Sequence, residues 1–186
     1  MCVGRLTEQK GFDVAIRAFV RVRDERPEVR LVIVGDGEER PQLQQLAAEL
    51  GVDQDIEFTG LIPPDRVPAK LEEATIVLMP SRWEGLPVVG VQVAMAGRPI
   101  VGADIRGMRE AVISGRTGIL VEGDNSDELA AATLRLLGDP MTATALGEAA
   151  RTHSLEHFVA DRMFDRYEEL YRSLSGVADA STGNSS

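Results

Sequence analysis

The sequence has a single cysteine, Cys2, in 186 residues, which excludes an intrachain disulfide framework and any CxxC-type zinc or redox motif. Histidine is almost as scarce. His153 and His157 are the only two, too few for a histidine-rich metal site. Aromatic residues make up 4%, which argues against a base-stacking platform for single-stranded nucleic acid. Basic residues are outnumbered, 20 Lys and Arg against 30 Asp and Glu, for a formal net charge of −10. A duplex-binding surface needs a positive footprint, so nucleic acid is not an expected partner. Long apolar runs are missing too: stretches such as 76–80 fall far short of the ~20 residues that a membrane-crossing helix requires. The opening MCVGRLTEQKGFD carries charges where a signal peptide has its apolar stretch. A cytoplasmic protein is expected, reaching the inner face of a membrane only through other domains.

What is present is an ordinary globular balance, 44% hydrophobic and 27% charged, at a length that suits one domain with a sizeable core. Short β-rich runs occur at 31–34, 56–58, 76–79, 100–103 and 119–121, and all but 56–58, which Glu57 interrupts, are continuously apolar rather than alternating. That pattern predicts strands covered on both faces of a parallel sheet. Residues 1–4 resemble the last part of a sixth strand, expected to be either a short strand of about four residues or a truncated one. Between the runs, apolar residues recur at helical spacing, as in Val14, Ala15, Ala18, Phe19 and Val22, and again in Leu43, Leu46, Ala47 and Leu50. Gly51 follows as a helix stop. Further helices are expected over 65–73, 86–96, 107–113 and 126–137, the last with Ser126 as N-cap. The alternation of strand and helix predicts an α/β, Rossmann-like, doubly wound parallel sheet of about six strands with right-handed crossovers. From 142 to 174 the pattern is only helical, with Phe158, Met163, Tyr167, Leu170 and Tyr171 as candidate anchors. Residues 1–174 are read as one domain with extra C-terminal helices. Residues 175–186, rich in Ser, Gly, Asp and Ala, are read as a disordered tail.

Doubly wound sheets bind ligands beyond the carboxyl ends of their strands, so the loops after strands carry the chemistry. In the first such loop, Gly4 lets the chain leave its strand sharply, and Arg5 and Lys10 follow, with Gly11 before a helix. Two cations beside a helix N-terminus form either an anion site suited to a diphosphate or two solvated surface charges. Gly35-Asp36-Gly37 reads as a turn; it is not a GxGxxG fingerprint, so a nicotinamide dinucleotide site is not supported. The richest stretch runs from Pro80 to Gly97. There Gly85 allows close approach of a ligand, Leu86-Pro87 opens a helix, and the amides of Leu86, Val88 and Val89 face the loop. Glu84 is an acceptor-only carboxylate, suited to ligand hydroxyls or simply to solvent. Gln92 lies two helical turns along, near the same face. Trp83 reads as packing at the loop base rather than bordering a pocket. His153 and His157, with no third ligand and no HExxH pattern, read as surface or partly buried residues rather than a metal site. Asp104 and Glu110 read as loop-shaping.

Taken in order, Gly4-Arg5-Leu6…Lys10-Gly11, Val34-Gly35-Asp36-Gly37, Phe58-Thr59-Gly60, Pro80-Ser81-Arg82-Trp83-Glu84-Gly85-Leu86-Pro87, Ala94-Met95-Ala96-Gly97-Arg98-Pro99, Asp104-Ile105-Arg106-Gly107-Met108-Arg109-Glu110 and Thr117-Gly118-Ile119-Leu120-Val121 resemble the carboxyl-terminal domain of the group-1 (family 4) retaining glycosyltransferases. The resemblance spans nearly the whole chain. It implies the two-Rossmann-domain GT-B architecture, with the nucleotide-sugar donor held mainly by the second domain. It further implies that Arg5 and Lys10, after Gly4, hold the donor diphosphate and stabilise the leaving group. Glu84 would bind hydroxyls of the transferred sugar, the backbone at Gly85, Leu86, Pro87 and Val88 would meet sugar and phosphate, and main chain near Ile62 would meet the base. Arg5, Lys10 and Glu84 are thus the implied catalytic residues. No cofactor or metal is implied beyond the donor itself, a UDP-, GDP- or ADP-sugar. One residue departs from the family pattern: Gln92 stands where a second glutamate usually binds the ribose hydroxyls.

The expected function is therefore transfer of a hexosyl unit with retention, in polysaccharide or glycoconjugate synthesis, with this chain as the donor-binding half. An amino-terminal acceptor domain is expected to be absent from it, or supplied by a partner subunit. The rival readings are a nucleotide-sugar binding module without turnover, and an unrelated α/β nucleotide-binding protein.

Overall fold

The structure, a computed structural model, describes residues 1–85 and 87–158. Six parallel strands form: β1 (Cys2–Val3), β2 (Leu31–Val34), β3 (Ile56–Gly60), β4 (Val77–Met79), β5 (Ile100–Ala103) and β6 (Gly118–Val121). They make two three-stranded sheets, β1-β2-β3 and β4-β5-β6. In the first, Cys2 sits opposite Ile33 and Leu31 opposite Ile56; in the second, Val77 sits opposite Ile100 and Ile100 opposite Gly118. Met1 joins the sheets edge to edge: its backbone nitrogen donates to the carbonyl of Ile76 at 2.9 Å, and its carbonyl accepts from the Leu78 amide at 2.8 Å. Across that seam the strands run β3-β2-β1-β4-β5-β6. The order reverses between β1 and β4, the place where a doubly wound sheet opens a crevice.

The continuous apolar strands are explained by what covers them. Cys2, Ile33, Ile76, Leu78, Val101 and Ile119 belong to one buried cluster, shared with α1 (Phe12–Glu25), α2 (Arg40–Glu49) and α6 (Ser126–Gly138). Val77, Met79 and Ile100 belong to a second, shared with α3 (Val67–Glu72), α4 (Val88–Met95) and α5 (Arg106–Ala111). Neighbouring residues such as Val77 and Leu78 point to opposite faces, as the pleat demands, and each face has its own helical layer. Burying each such Leu, Ile or Val side chain contributes roughly 1.5–3 kcal/mol. α7 (Pro140–His157) leaves α6 and packs on α4.

Most expected boundaries fall within a few residues of the observed ones, with one correction. Asn125, not Ser126, caps α6, its side chain accepting from the Glu128 amide at 3.0 Å. Gly51 does end its helix, at φ 68°. Of the helical reading over 142–174, α7 accounts for the part up to His157. Of its anchors, Phe158 closes α7 half-buried, while Met163, Tyr167, Leu170 and Tyr171 and the 175–186 tail lie outside the described residues. Among the described residues no helix is long and apolar enough to cross a membrane.

Candidate functional site at the strand-order reversal

The loops after β1 and β4 leave the sheet side by side and touch. After β1, a single 3-10 turn (Glu8–Lys10) carries Lys10, and Gly11 then starts α1. Gly11 adopts φ 63°, and a Cβ there would sit 2.2 Å from the carbonyl oxygen of Pro80. Only glycine meets both conditions. That contact sets Lys10 against the β4 loop, where its ammonium forms an ion pair with Glu84 Oε1. Glu84 also accepts from the hydroxyl of the buried Ser81 at 2.9 Å. The Glu84 side chain is 8% exposed and that of Lys10 19%, so water screens the pair far less than a surface pair. Oε2 of Glu84 has no hydrogen-bond partner among the described residues.

Arg5 is exposed and has no ion-pair partner among the described residues. It lines an open cleft of about 520 Å³ together with Lys10, Glu38 and Trp83. Gly4 lies under the Lys10 stem; a Cβ there would meet Lys10 Cε at 3.5 Å. Pro87 is buried and precedes α4, whose first amides, including that of Val88, have no carbonyl one turn back and no side-chain cap. The structure thus brings Arg5, Lys10, Glu84 and Gly85 to one edge of the sheet. Ile62 sits on the same edge beyond β3, two strands from β1, and does not line the cleft. Gln92 is half-buried inside α4 and does not line it either. Leu86 lies outside the described residues. A second cavity, of about 320 Å³, opens at the amino ends of the strands, with largely apolar walls such as Phe19, Leu31 and Ile76.

Trp83 does not pack at the loop base. It is 55% exposed on the cleft wall, and only its backbone is fixed, its carbonyl accepting from Gln9 Nε2 at 2.8 Å. Asp104 holds Arg109 in a bidentate pair of 2.6 and 2.9 Å, in keeping with a loop-shaping role, and this hydrogen-bonded partner lowers its carboxyl pKa. Sequence reasoning missed two supports. Arg82 is tied to both neighbouring loops, which nothing in the local pattern signals. Gly107, at the start of α5, packs so closely on the β4 loop that a Cβ would lie 2.0 Å from the Gly85 carbonyl oxygen. His153 and His157 stack with ring centroids 4.2 Å apart; burial, then the charge of His157, lowers the His153 pKa. Among the described residues no three His, Cys, Asp or Glu side chains cluster as metal ligands would.

Two three-stranded parallel sheets joined edge to edge, with a cation and a carboxylate meeting where the strand order reverses, define a doubly wound, Rossmann-like α/β class of domain. Comparison with known proteins narrows the class: the chain belongs to the family of glycosyl transferases group 1, whose model matches residues 1–153. It is 36% identical over 97% of its length to a GDP-mannose-dependent alpha-(1-6)-phosphatidylinositol monomannoside mannosyltransferase of Mycolicibacterium smegmatis, of which it covers 48%. The crystal structure of HepE from Anabaena in complex with UDP is similar at a TM-score of 0.84 and 25% identity, over 92% of this chain and 48% of that one. A crystallised C-terminal domain of a group 1 family protein from Francisella tularensis shares the fold, with a TM-score of 0.78 at 19% identity over 86% of this chain and 85% of that one. The chain thus spans about half the length of the full-length relatives it matches.

Proposed function

We propose that this chain is the donor-binding half of a glycosyltransferase that moves a hexosyl unit from a nucleoside-diphosphate sugar with retention of anomeric configuration. Polysaccharide or glycoconjugate synthesis is the setting. The observation that carries the reading is the meeting of Lys10 and Glu84 at the switch point, with Arg5 and Lys10 together on the wall of one cleft. The nucleotides named for two relatives, GDP-mannose and UDP, share a diphosphate and differ in the base. That fits a site whose cations read the diphosphate.

Arg5 and Lys10 hold the diphosphate, and the stem of Lys10 rests over Gly4. When the bond from the anomeric carbon to the phosphate oxygen breaks, its electron pair stays on the departing phosphate. The two cations stabilise that charge, Lys10 already held in place by Glu84, and carry out the electrostatic work that a divalent cation does in other enzymes. Glu84 serves both halves of the donor. Oε1 fixes Lys10, while Oε2 accepts from hydroxyls of the transferred sugar. The backbone at Gly85, Leu86, Pro87 and Val88, with the orphan amides of α4, meets sugar and phosphate. The family resemblance assigns the base to main chain at Ile62 and the ribose to Gln92, both of which lie outside the cleft itself. The acceptor is oriented by the half of the relatives that this chain does not span, so these 186 residues alone bind a donor but transfer little or no sugar.

Thermal-shift and calorimetric screening against UDP-, GDP- and ADP-sugars tests the reading. Stabilisation by one base series is the expected outcome. No response to any donor or free diphosphate contradicts binding, and robust transfer by the purified chain contradicts the half-site account.

A further inference from the structure

We propose that Arg82 is a positioning residue that sets Lys10 and Glu84 in register, and so decides how strongly the site prefers a sugar-bearing diphosphate over a free one. This inference rests on the donor-site reading above. The segment 81–85 has no regular secondary structure, so the place of Glu84 depends on side-chain tethers. Ser81 supplies one, Gln9 a second through the Trp83 carbonyl and Lys10 a third, and Arg82 supplies the largest set. Its Nη1 donates to the Glu8 carbonyl at 2.7 Å and to Asp13 Oδ1 at 3.0 Å, and its Nη2 donates to Asp13 Oδ2 at 2.8 Å. Its Nε lies 2.8 Å from Asp124 Oδ1, and its backbone amide donates to the Gln9 carbonyl at 2.8 Å.

These bonds connect three loops of the carboxyl edge. Glu8 and Gln9 immediately precede Lys10 in the loop after β1, and Asp13 lies in the first turn of α1. Asp124 belongs to the loop between β6 and α6, and is the one non-glycine residue with positive φ, at 55°, among those described. A non-glycine residue held there marks a loop shaped by its contacts. Arg82 thus grips the chain just before Lys10 while standing two residues before Glu84, so both members of the ion pair hang from one guanidinium. A planar fork with donors on three nitrogens can do this, whereas the three donors of an ammonium diverge from a single nitrogen and cannot match acceptors spread along the fork. Among the described residues Arg82 is also the one ion-pair partner of both Asp13 and Asp124. Its removal leaves Asp13 and Asp124 beside the loop that carries the diphosphate cations.

The test compares Arg82→Lys, Arg82→Met and the triple variant Arg82→Met/Asp13→Asn/Asp124→Asn with the parent chain. Affinities are measured by calorimetry for UDP, GDP and ADP and for UDP-glucose, GDP-mannose and ADP-glucose. Thermal unfolding of each unliganded variant is followed alongside. Both single variants should weaken the sugar nucleotide by about tenfold and the free diphosphate by clearly less, the shift expected when one well-placed charge-assisted bond is lost. The triple variant removes the stray carboxylates and should regain diphosphate affinity without regaining the preference for the sugar. A merely structural role would lower both affinities by one factor, in step with the unfolding temperature, and that result overturns the inference. An unchanged preference in a folded Arg82→Lys chain overturns it as well. A parent chain that binds none of the six ligands instead removes the donor-site reading, and this inference with it.

Discussion

At the residue scale, the site is a division of labour around one carboxylate. Glu84 is nearly buried, yet only one of its oxygens is spent within the described fold, on Lys10 and Ser81. The loop positions of Arg5, Lys10 and Glu84 were legible in the sequence from glycine punctuation and a strand end, but the roles proposed for them came from the family resemblance and not from spacing. Arg82 was not legible, because its partner Asp13 is 69 residues away and no local pattern encodes that meeting. Trp83 was misplaced for a related reason: neighbouring residue types do not reveal that only its backbone is held. Gln92 is the residue where the family pattern breaks, and it is tested directly. Gln92→Glu restores a charge-assisted acceptor and should tighten donor affinity several-fold, about 1 kcal/mol, in calorimetry. An unchanged affinity would show that Gln92 does not serve the ribose. Cys2, fully buried in β1, gives a pH prediction. Burial raises its thiol from 9.0 to about 11, so the folded state holds a proton that the unfolded state releases. That contribution to stability is fully present below pH 9 and is lost as pH rises towards 11. Below pH 9 the thiol should react with a disulfide reagent only at the rate of opening; fast labelling of the native chain would contradict its burial.

At the element scale, the strands were read nearly to the residue because most are covered on both faces, leaving an uninterrupted apolar run; β3, with Glu57 exposed, is the exception. Helix starts were less certain, since caps depend on one hydrogen bond that several neighbouring residues could make. The start of α6 shows this: the Asn125 side chain, one residue earlier than expected, takes the Glu128 amide, while the Glu128 carboxylate takes the Glu122 amide at 3.0 Å. Asn125→Ala should therefore cost about 1 kcal/mol by chemical denaturation, while Ser126→Ala should change little. Equal losses from both would return the cap to Ser126. Elements also carry the site. The Gly11–Pro80 approach is a backbone contact between the β1 and β4 loops, and the Gly107–Gly85 approach fixes the β4 loop from the α5 side.

For the whole molecule, the arrangement follows from strand order. Alternating strands and helices announced a doubly wound sheet, but the order β3-β2-β1-β4-β5-β6 rests on pairings between distant segments that no window of sequence contains. Once that order is known, the reversal between β1 and β4 explains why Lys10 and Glu84, 74 residues apart, meet. The net charge of −10 makes Arg5 and Lys10 on one cleft wall more telling, because they stand against the balance of the chain. Calorimetric titration of the parent chain and of Arg5→Ala/Lys10→Ala with UDP, GDP and ADP is the most direct test that this edge is a diphosphate site. The account predicts one-to-one binding of one of the three by the parent, and a loss of tenfold or more in the double variant, from charge-assisted bonds worth about 1.5–3 kcal/mol each. Binding of equal strength by both chains, or by neither, would contradict it.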